Sequence, residues 1–231
     1  MTRCWILDVE TTGTDPELDK VVEVAGILLD SGHLIGQFSS LVDPQIPIPA
    51  QASAVHHIVD RDVEGKPLLT DAIGPIRDNP VDYYVAHNAG FDSLFLNLKE
   101  RVADKPWICT WKSSLRAFPE APSYSNQVLR YYLGLPDPVC GGHAHRALYD
   151  AEVTTSLLLK LAEVSSREDP YVAMADISSK PGLMRKVSFG VHKDKLWQDV
   201  PTDYFNWMLK KSSGWSEDQL YTAQYWLNKR A

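Results

Sequence analysis

Apolar residues crowd the chain at Cys4-Trp5-Ile6-Leu7, run almost unbroken from Val21 to Leu29, and return in the forties. Short runs of this kind, rich in Val and Ile and bounded by turn residues, predict strands over 3–10, 20–29 and 34–43. Asp30-Ser31-Gly32 supplies hairpin chemistry between the second and third, and Asp43-Pro44 closes the third, so the opening reads as an antiparallel meander. The pattern then lengthens to helical spacing near 50–59 and 70–78. Tyr83 to His87 is a short strand leading into Asn88-Ala89-Gly90, and 91–101 is a helix. Trp107 to Thr110 is a further strand, followed by helices near 111–117 and 124–134 and a long one over 146–164. This order predicts an α/β fold, a mixed five-stranded sheet flanked by helices.

The pattern changes between Ser165 and Pro170, which divides the chain into a domain of 1–165 and a small α+β appendage of 166–231. In the appendage, Lys186 to Gly190 and Lys195 to Trp197 predict a hairpin across 191–194. Helices follow near 202–211 and 216–229, the second opening on the capping-box sequence Ser216-Glu217-Asp218-Gln219.

Composition changes this picture little, and charge changes it more. No apolar run approaches the roughly 18–20 residues of a membrane span, and the first residues lack the apolar segment of a signal peptide. Cys4, Cys109 and Cys140 have no C-x-x-C spacing, which predicts a soluble protein of the reducing cytoplasm without a zinc motif. The net charge of −7 argues at first against a nucleic-acid partner. It is unevenly placed: residues 166–231 carry 10 Lys and Arg against 8 Asp and Glu, so the acidity lies in the first domain. Clustered carboxylates still bind an anion when metal ions convert them into a positive site.

That possibility meets a local conflict in the stretch LDVETTG. Asp8 and Glu10 sit two apart on a predicted strand, hence on one face, where they repel each other. Asp92 follows a strand at the start of a helix, and Asp150 lies on an otherwise apolar helix. Hard oxygen ligands suit Mg²⁺, and two such ions clamp the attacking and leaving oxygens of a phosphoryl displacement. His145, a candidate general base, precedes Asp150 by five residues, about 140° around a helix, so it belongs at the loop edge beside Gly141-Gly142. Taken singly, each residue has a plainer reading: a solvated strand end, a helix cap, a surface acid, a packed histidine.

The set D-x-E, H-N-A-G-F-D and H-x-x-x-x-D, in this order, resembles the DEDDh family of 3′→5′ exonucleases, and WICTWK, YSN, HRALYD, KPGLM and VSFG resemble its exodeoxyribonuclease X branch. The resemblance implies a ribonuclease H-like fold. It also implies two Mg²⁺ ions, with Mn²⁺ as substitute, held by Asp8, Glu10, Asp92 and Asp150, and His145 as general base. Val9, Thr11 and Asn88 would lie near the 3′ end of the strand. Ala54-Val55-His56-His57-Ile58 matches the family's V-H-x-I element, which puts His56 near the terminal nucleotide, although adjacent His57 is also available. Gln51 stands where some members carry an acid. The implied partner is DNA with a free 3′ end, and a homodimer is a further implication that no residue pattern specifies.

In the appendage, cations and aromatics interleave from Lys193 to Trp215, which fits either a strand-gripping surface or a small aromatic core with a lysine rim. Lys193 and Lys195 are the candidate DNA contacts. Two other functions remain open on sequence alone: an RNA or short-oligonucleotide 3′ exonuclease, and a nucleic-acid-binding or polymerase-associated module.

Overall fold

The computed structural model describes residues 1–211 and 213–230; Ser212 and Ala231, both within the expected appendage, lie outside the described residues. Strands β1 (Arg3–Thr11), β2 (Val21–Asp30) and β3 (His33–Leu41) form the expected meander. Ser31 and Gly32 both take positive φ, 52° and 80°, the twist that a two-residue hairpin requires. Four short helices follow, α1 (Ala50–His56), α2 (Asp60–Val63), α3 (Leu69–Ala72) and α4 (Gly74–Asp78). The predicted helix over 50–59 stops early because His57 enters the left-handed region at φ 61°. Then come β4 (Tyr83–Ala86), α5 (Gly90–Leu96), α6 (Leu98–Arg101), β5 (Trp107–Cys109), α7 (Thr110–Ala117), α8 (Asn126–Leu133) and α9 (Ala147–Val164). Asn97, at φ 43°, breaks the predicted helix over 91–101 into α5 and α6.

The sheet runs in the order β3-β2-β1-β4-β5. β1 is antiparallel to β2 and parallel to β4, so the ends of β1 and β4 emerge on the same side of the molecule. It is the mixed five-stranded sheet that the sequence predicts. Alternation along β1 serves two cores. Trp5, Leu7 and Val9 face a cluster with Ile73, Ile76 and Leu96, whereas Cys4 and Ile6 face Ala151, Leu157 and Leu161 of α9. The second face continues into Asp8 and Glu10 as the strand leaves the core.

Beyond α9, helix α10 (Pro170–Ser178) starts on Pro170 with the Asp169 carboxylate accepting from the amides of Tyr171 and Val172. It packs on β5 and α7, and its Met174 joins the core that contains Ile6. The expected division at 165/166 therefore falls before a helix that packs with the first body. A separate core begins farther along, where Val187, Trp197, Val200, Phe205, Met208 and Ala223 pack together beneath α11 (Thr202–Lys211) and α12 (Glu217–Arg230). Trp197 and Phe205 are fully buried, so these aromatics fill that core rather than face a ligand. The predicted hairpin reduces to one antiparallel bridge, Lys186 to Leu196. Gly190 and Asp194, at φ 61° and 68°, turn the chain too sharply for a ladder. Ser216 and Gln219 form the predicted capping box at α12, their amides and side chains bonding reciprocally.

Gly26, paired with Leu7 across β1 and β2, lets the Trp5 and Phe38 rings close over the sheet at 5.5 Å. A Cβ there would come within 2.6 Å of Phe38 and 2.9 Å of Leu7, whereas at Gly36 the nearest atom is 3.9 Å away. Gly26→Ala should therefore destabilise the fold by about 1–3 kcal/mol, the usual cost of overpacking. Gly36→Ala should stay within about 0.5 kcal/mol. Thermal unfolding of the two variants checks the contrast.

Candidate active site

Four segments meet where β1 and β4 end. β1 contributes Asp8 and Glu10, both half-buried. The turn after β4 holds Asn88 at φ 63°, a conformation asparagine tolerates, and carries the chain into α5 with Asp92 buried in its first turn. The loop before α9, with Gly141 and Gly142 at φ 72° and 89°, brings His145 to the surface just outside the helix. Asp150 follows, buried, in the first turn of α9.

Ligand atoms of Glu10, His145 and Asp150 lie within 4.8 Å of one another. Asp8 and Asp92 stand outside that group, yet close enough to interact with it. Burial pushes the Asp8 carboxyl well above its ordinary range, and Asp92, Asp150, Glu10 and Glu23 add to the effect. Burial also lifts Glu10 to about 8, with Asp150, Glu23 and Asp92 reinforcing it and Arg146 opposing. Asp92 rises to about 7 through burial, against hydrogen bonding from its own backbone and that of Val9. Asp150 is raised by burial and held down by His145, Gln127 and Asn126. These carboxylates crowd together with little cationic compensation from the protein, and their hard oxygen donors fit divalent cations.

Three residues that sequence reasoning passed over hold the cluster in place. Glu23 on β2 lies directly opposite Glu10 and is 2% exposed. It accepts from the Arg146 guanidinium at 2.7 and 3.1 Å and from the Ala147 amide at 3.0 Å, pinning the start of α9 to the sheet. Gln127 on α8 donates to Asp150 Oδ1 at 2.9 Å, while the His145 amide donates to Oδ2 at 2.6 Å. The second bond holds His145 at φ 64°, outside the usual backbone regions. A charged residue inside the apolar run Val21 to Leu29 was the available signal for Glu23.

The remaining candidates are placed differently. Val9 and Thr11 are buried at the end of β1, where a bulge separates Glu10 from Thr11. His56 is buried, its Nδ1 accepting from the Ile58 amide at 3.0 Å. Its Nε2 is buried without a hydrogen-bond partner and faces the Thr11 backbone. His57 is exposed, with its ring edge-on to His143 at 5.1 Å. His87 is structural: Nε2 donates to the Tyr124 carbonyl at 2.8 Å, which leaves Nδ1 to accept from Thr110 at 2.9 Å. Asn88 is exposed beside Asp92's helix, and Lys193 and Lys195 are exposed on the appended core, away from the carboxylates' own elements. Among the described residues no helix is long and apolar enough to cross a membrane.

A family model for exonucleases of the RNase T type matches residues 5–158, a span that contains Asp8, Glu10, Asp92, His145 and Asp150. Exodeoxyribonuclease 10 of Escherichia coli K12 is 34% identical, aligned over 96% of this chain and 97% of its own length. The PolC-type DNA polymerase III of Bacillus subtilis is 33% identical over 68% of the chain but only 11% of the polymerase. A solved structure of exonuclease X in complex with 5′-overhanging duplex DNA is similar at a TM-score of 0.66 and 36% identity, covering 76% of this chain and 99% of that one. Escherichia coli exonuclease I in complex with a dA16 oligonucleotide shares the fold, with a TM-score of 0.60 at 19% identity, over 76% of this chain and 42% of that one. The sheet thus has the ribonuclease H-like arrangement of these nucleases, and the chain belongs to the RNase T exonuclease family as a hydrolase of that class.

Proposed function

We propose that the protein is a metal-dependent 3′→5′ exodeoxyribonuclease that releases nucleoside 5′-monophosphates from the 3′ end of DNA. The observation that carries this reading is the convergence of Glu10, His145 and Asp150 within 4.8 Å, with Asp8 and Asp92 adjoining. The DNA preference rests on similarity to Exodeoxyribonuclease 10 along nearly the whole chain, the appended core included. The three cysteines are free thiols, which suits the cytoplasm.

Asp8, Glu10, Asp92 and Asp150 would hold two Mg²⁺ ions, or Mn²⁺ in their place. Bound there, the ions would supply positive charge for the scissile phosphate and lower the pKa of the attacking water. The protein's own groups supply orientation and proton transfer. His145 stands exposed at the mouth, its backbone tied to Asp150, so an imidazole nitrogen can take the proton of the water as its oxygen bonds to phosphorus. The bond from phosphorus to the 3′ oxygen breaks, and the shortened strand leaves with a 3′ hydroxyl. Asn88 and the backbone of Val9 and Thr11 line the place for the terminal nucleotide. His56, whose buried Nε2 faces the Thr11 backbone, would help to shape that place.

A 5′-labelled single-stranded DNA should shorten from its 3′ end in Mg²⁺ and remain intact in EDTA. Loss of matched RNA instead would reassign the substrate, and cleavage of neither would leave a binding module. Asp8→Asn should abolish hydrolysis yet raise the metal-free thermal midpoint, since it removes a carboxyl that the fold accommodates only at the cost of repulsion or of an added proton. Full activity in that variant would exclude Asp8 as a ligand. His145→Gln should lower kcat by about 10²–10⁴-fold, the usual contribution of a general base, and spare Mg²⁺ binding by calorimetry.

Metal-free stability should also depend on pH. Glu10 and Asp92 hold their protons to about 8 and about 7 in the folded protein, above their ordinary 4.5 and 3.8. The folded state therefore binds more protons than the unfolded chain between those values. Their contribution is complete below the ordinary carboxylate range and is lost as pH rises through 7 and 8. Thermal midpoints in EDTA should fall over that window, and Mg²⁺ should reverse the fall. A flat or rising profile in EDTA would contradict the carboxylate crowding.

A further inference from the structure

We infer that the cleft between the exonuclease body and the appended core is a binding site for the single strand upstream of its 3′ terminus. This rests on the nuclease reading above. The cleft has a volume of about 520 Å³, within the range of about 300–1,000 Å³ typical of ligand sites. Its body wall is formed by Asn88, Trp111 and Tyr124, and its tail wall by Arg185, Lys186 and Ser188.

Three observations favour a nucleic-acid strand as occupant. First, the cleft is lined by segments that also carry the candidate active site. Asn88 belongs to the turn between β4 and α5 that carries Asp92, and the lining Ser125 directly precedes Asn126 and Gln127, which hold α9 and Asp150. Second, its chemistry is complementary to a strand. Arg185 and Lys186 present cations for phosphates, and Trp111 and Tyr124, both half-buried, present aromatic surface for bases. Arg185 now pairs with Glu120 at 2.7 Å, but the Glu120 side chain is 75% exposed, and a solvent-screened pair of this kind yields readily to a phosphate.

Third, the walls are fixed relative to each other, so the cleft exists before the strand arrives. Lys112 on α7 donates to the Lys180 carbonyl at 2.8 Å and lies 3.8 Å from Asp218 on α12. Asp218 in turn accepts from the Gly182 amide at 2.6 Å. Gly182 sits against Trp111, where a Cβ would come within 3.1 Å of the ring. These bonds tie the start of the tail to the body on one side of the cleft and leave Arg185 and Lys186 facing across it. Asp194 also lines the cleft, and its carboxylate leaves Arg185 and Lys186 as the cations of the tail wall.

The test uses the full chain with Arg185→Gln and Lys186→Gln combined. Fluorescence anisotropy in EDTA measures affinity for labelled single-stranded DNA of 3 and of 15 nucleotides, so hydrolysis plays no part. The 15-mer should bind roughly tenfold more weakly at low salt. Its slope of log affinity against log salt should fall by about 1.4, or about 0.7 for each phosphate that is no longer neutralised. The 3-mer, which offers fewer phosphates upstream of its 3′ terminus, should lose much less. A Lys210→Gln, Lys211→Gln variant of equal charge controls for the overall field and should bind like the parent protein. Equal loss for both lengths, equal loss in the control, or no loss at all would each overturn the assignment.

Placement is read independently by irradiating the unaltered protein with 15-mers that carry 5-iododeoxyuridine at successive positions upstream of the 3′ end. Cross-links should fall on peptides containing Trp111 or Tyr124, and cross-links only elsewhere would place the strand on another path. Failure of the nuclease reading shows separately, as intact DNA with the unaltered protein in Mg²⁺.

Discussion

Mutual repulsion among carboxylates at the end of β1 is the constraint around which this protein is built. Glu10 faces Glu23 across an antiparallel pair, where like charges destabilise a sheet. Two unit charges about 4 Å apart repel by about 4 kcal/mol at an effective dielectric near 20. Asp8, Asp92 and Asp150 add to the same field. Such a cluster persists because its carriers cannot drift apart. β1 is paired on both sides, and α9 packs along β1 and β2. The Arg146–Glu23 pair neutralises one charge and uses that neutralisation to fix the first turn of α9. Arg146 is thus both the local counter-charge and the anchor that sets where His145 and Asp150 stand.

Sheet topology explains why separate segments converge here. β1 is the strand at which the antiparallel meander meets the parallel pair β4 and β5. Because β1 and β4 run the same way, residues that follow them emerge at one edge, and Asp92 arrives beside Asp8 without a long loop. The alternation of β1 does the rest. The face that carries Cys4 and Ile6 into the α9 core carries Asp8 and Glu10 to its margin, where they are half-buried and perturbed.

How much of this could be read in the sequence depended on whether the signal was local. The meander was legible because Ser31-Gly32 has turn chemistry and the strands have apolar runs. The placement of His145 outside α9 followed from helix geometry, since five residues do not return to the same face. Arg146 and Gln127 were not legible, and Glu23 showed only as a charge inside an apolar run, because each matters through a partner distant in the chain. Glu23 and Arg146 are separated by 123 positions. The expected tail hairpin failed for the converse reason. Lys186 and Leu196 do pair, but positive φ at Gly190 and Asp194 and the packing of Trp197 inward bend the chain away after a single bridge. Helix α10 lies beyond the expected boundary yet joins the first body, because Met174 belongs to a core assembled mainly from residues far earlier in the chain and from α9, a relation that composition does not carry.

The uneven charge of the chain finds its sense at this level. A body that concentrates acidic residues is a poor attractor for a polyanion, and its carboxylates repel a phosphate until cations reverse their sign. The tail carries a small positive excess and is fastened to the body through Lys112 and Asp218. Its Arg185 and Lys186 face the side of the body from which Asn88 leads toward the carboxylates. Lys211 lies farther along, over the exposed ring of Trp207. The tail's aromatics are mostly spent on their own core, which leaves its cations and the body's Trp111 and Tyr124 to meet the strand. On this arrangement the two cores divide the electrostatic work. The body would supply a site that becomes positive only with divalent cations bound, and the tail would supply Arg185 and Lys186, whose charge does not depend on them.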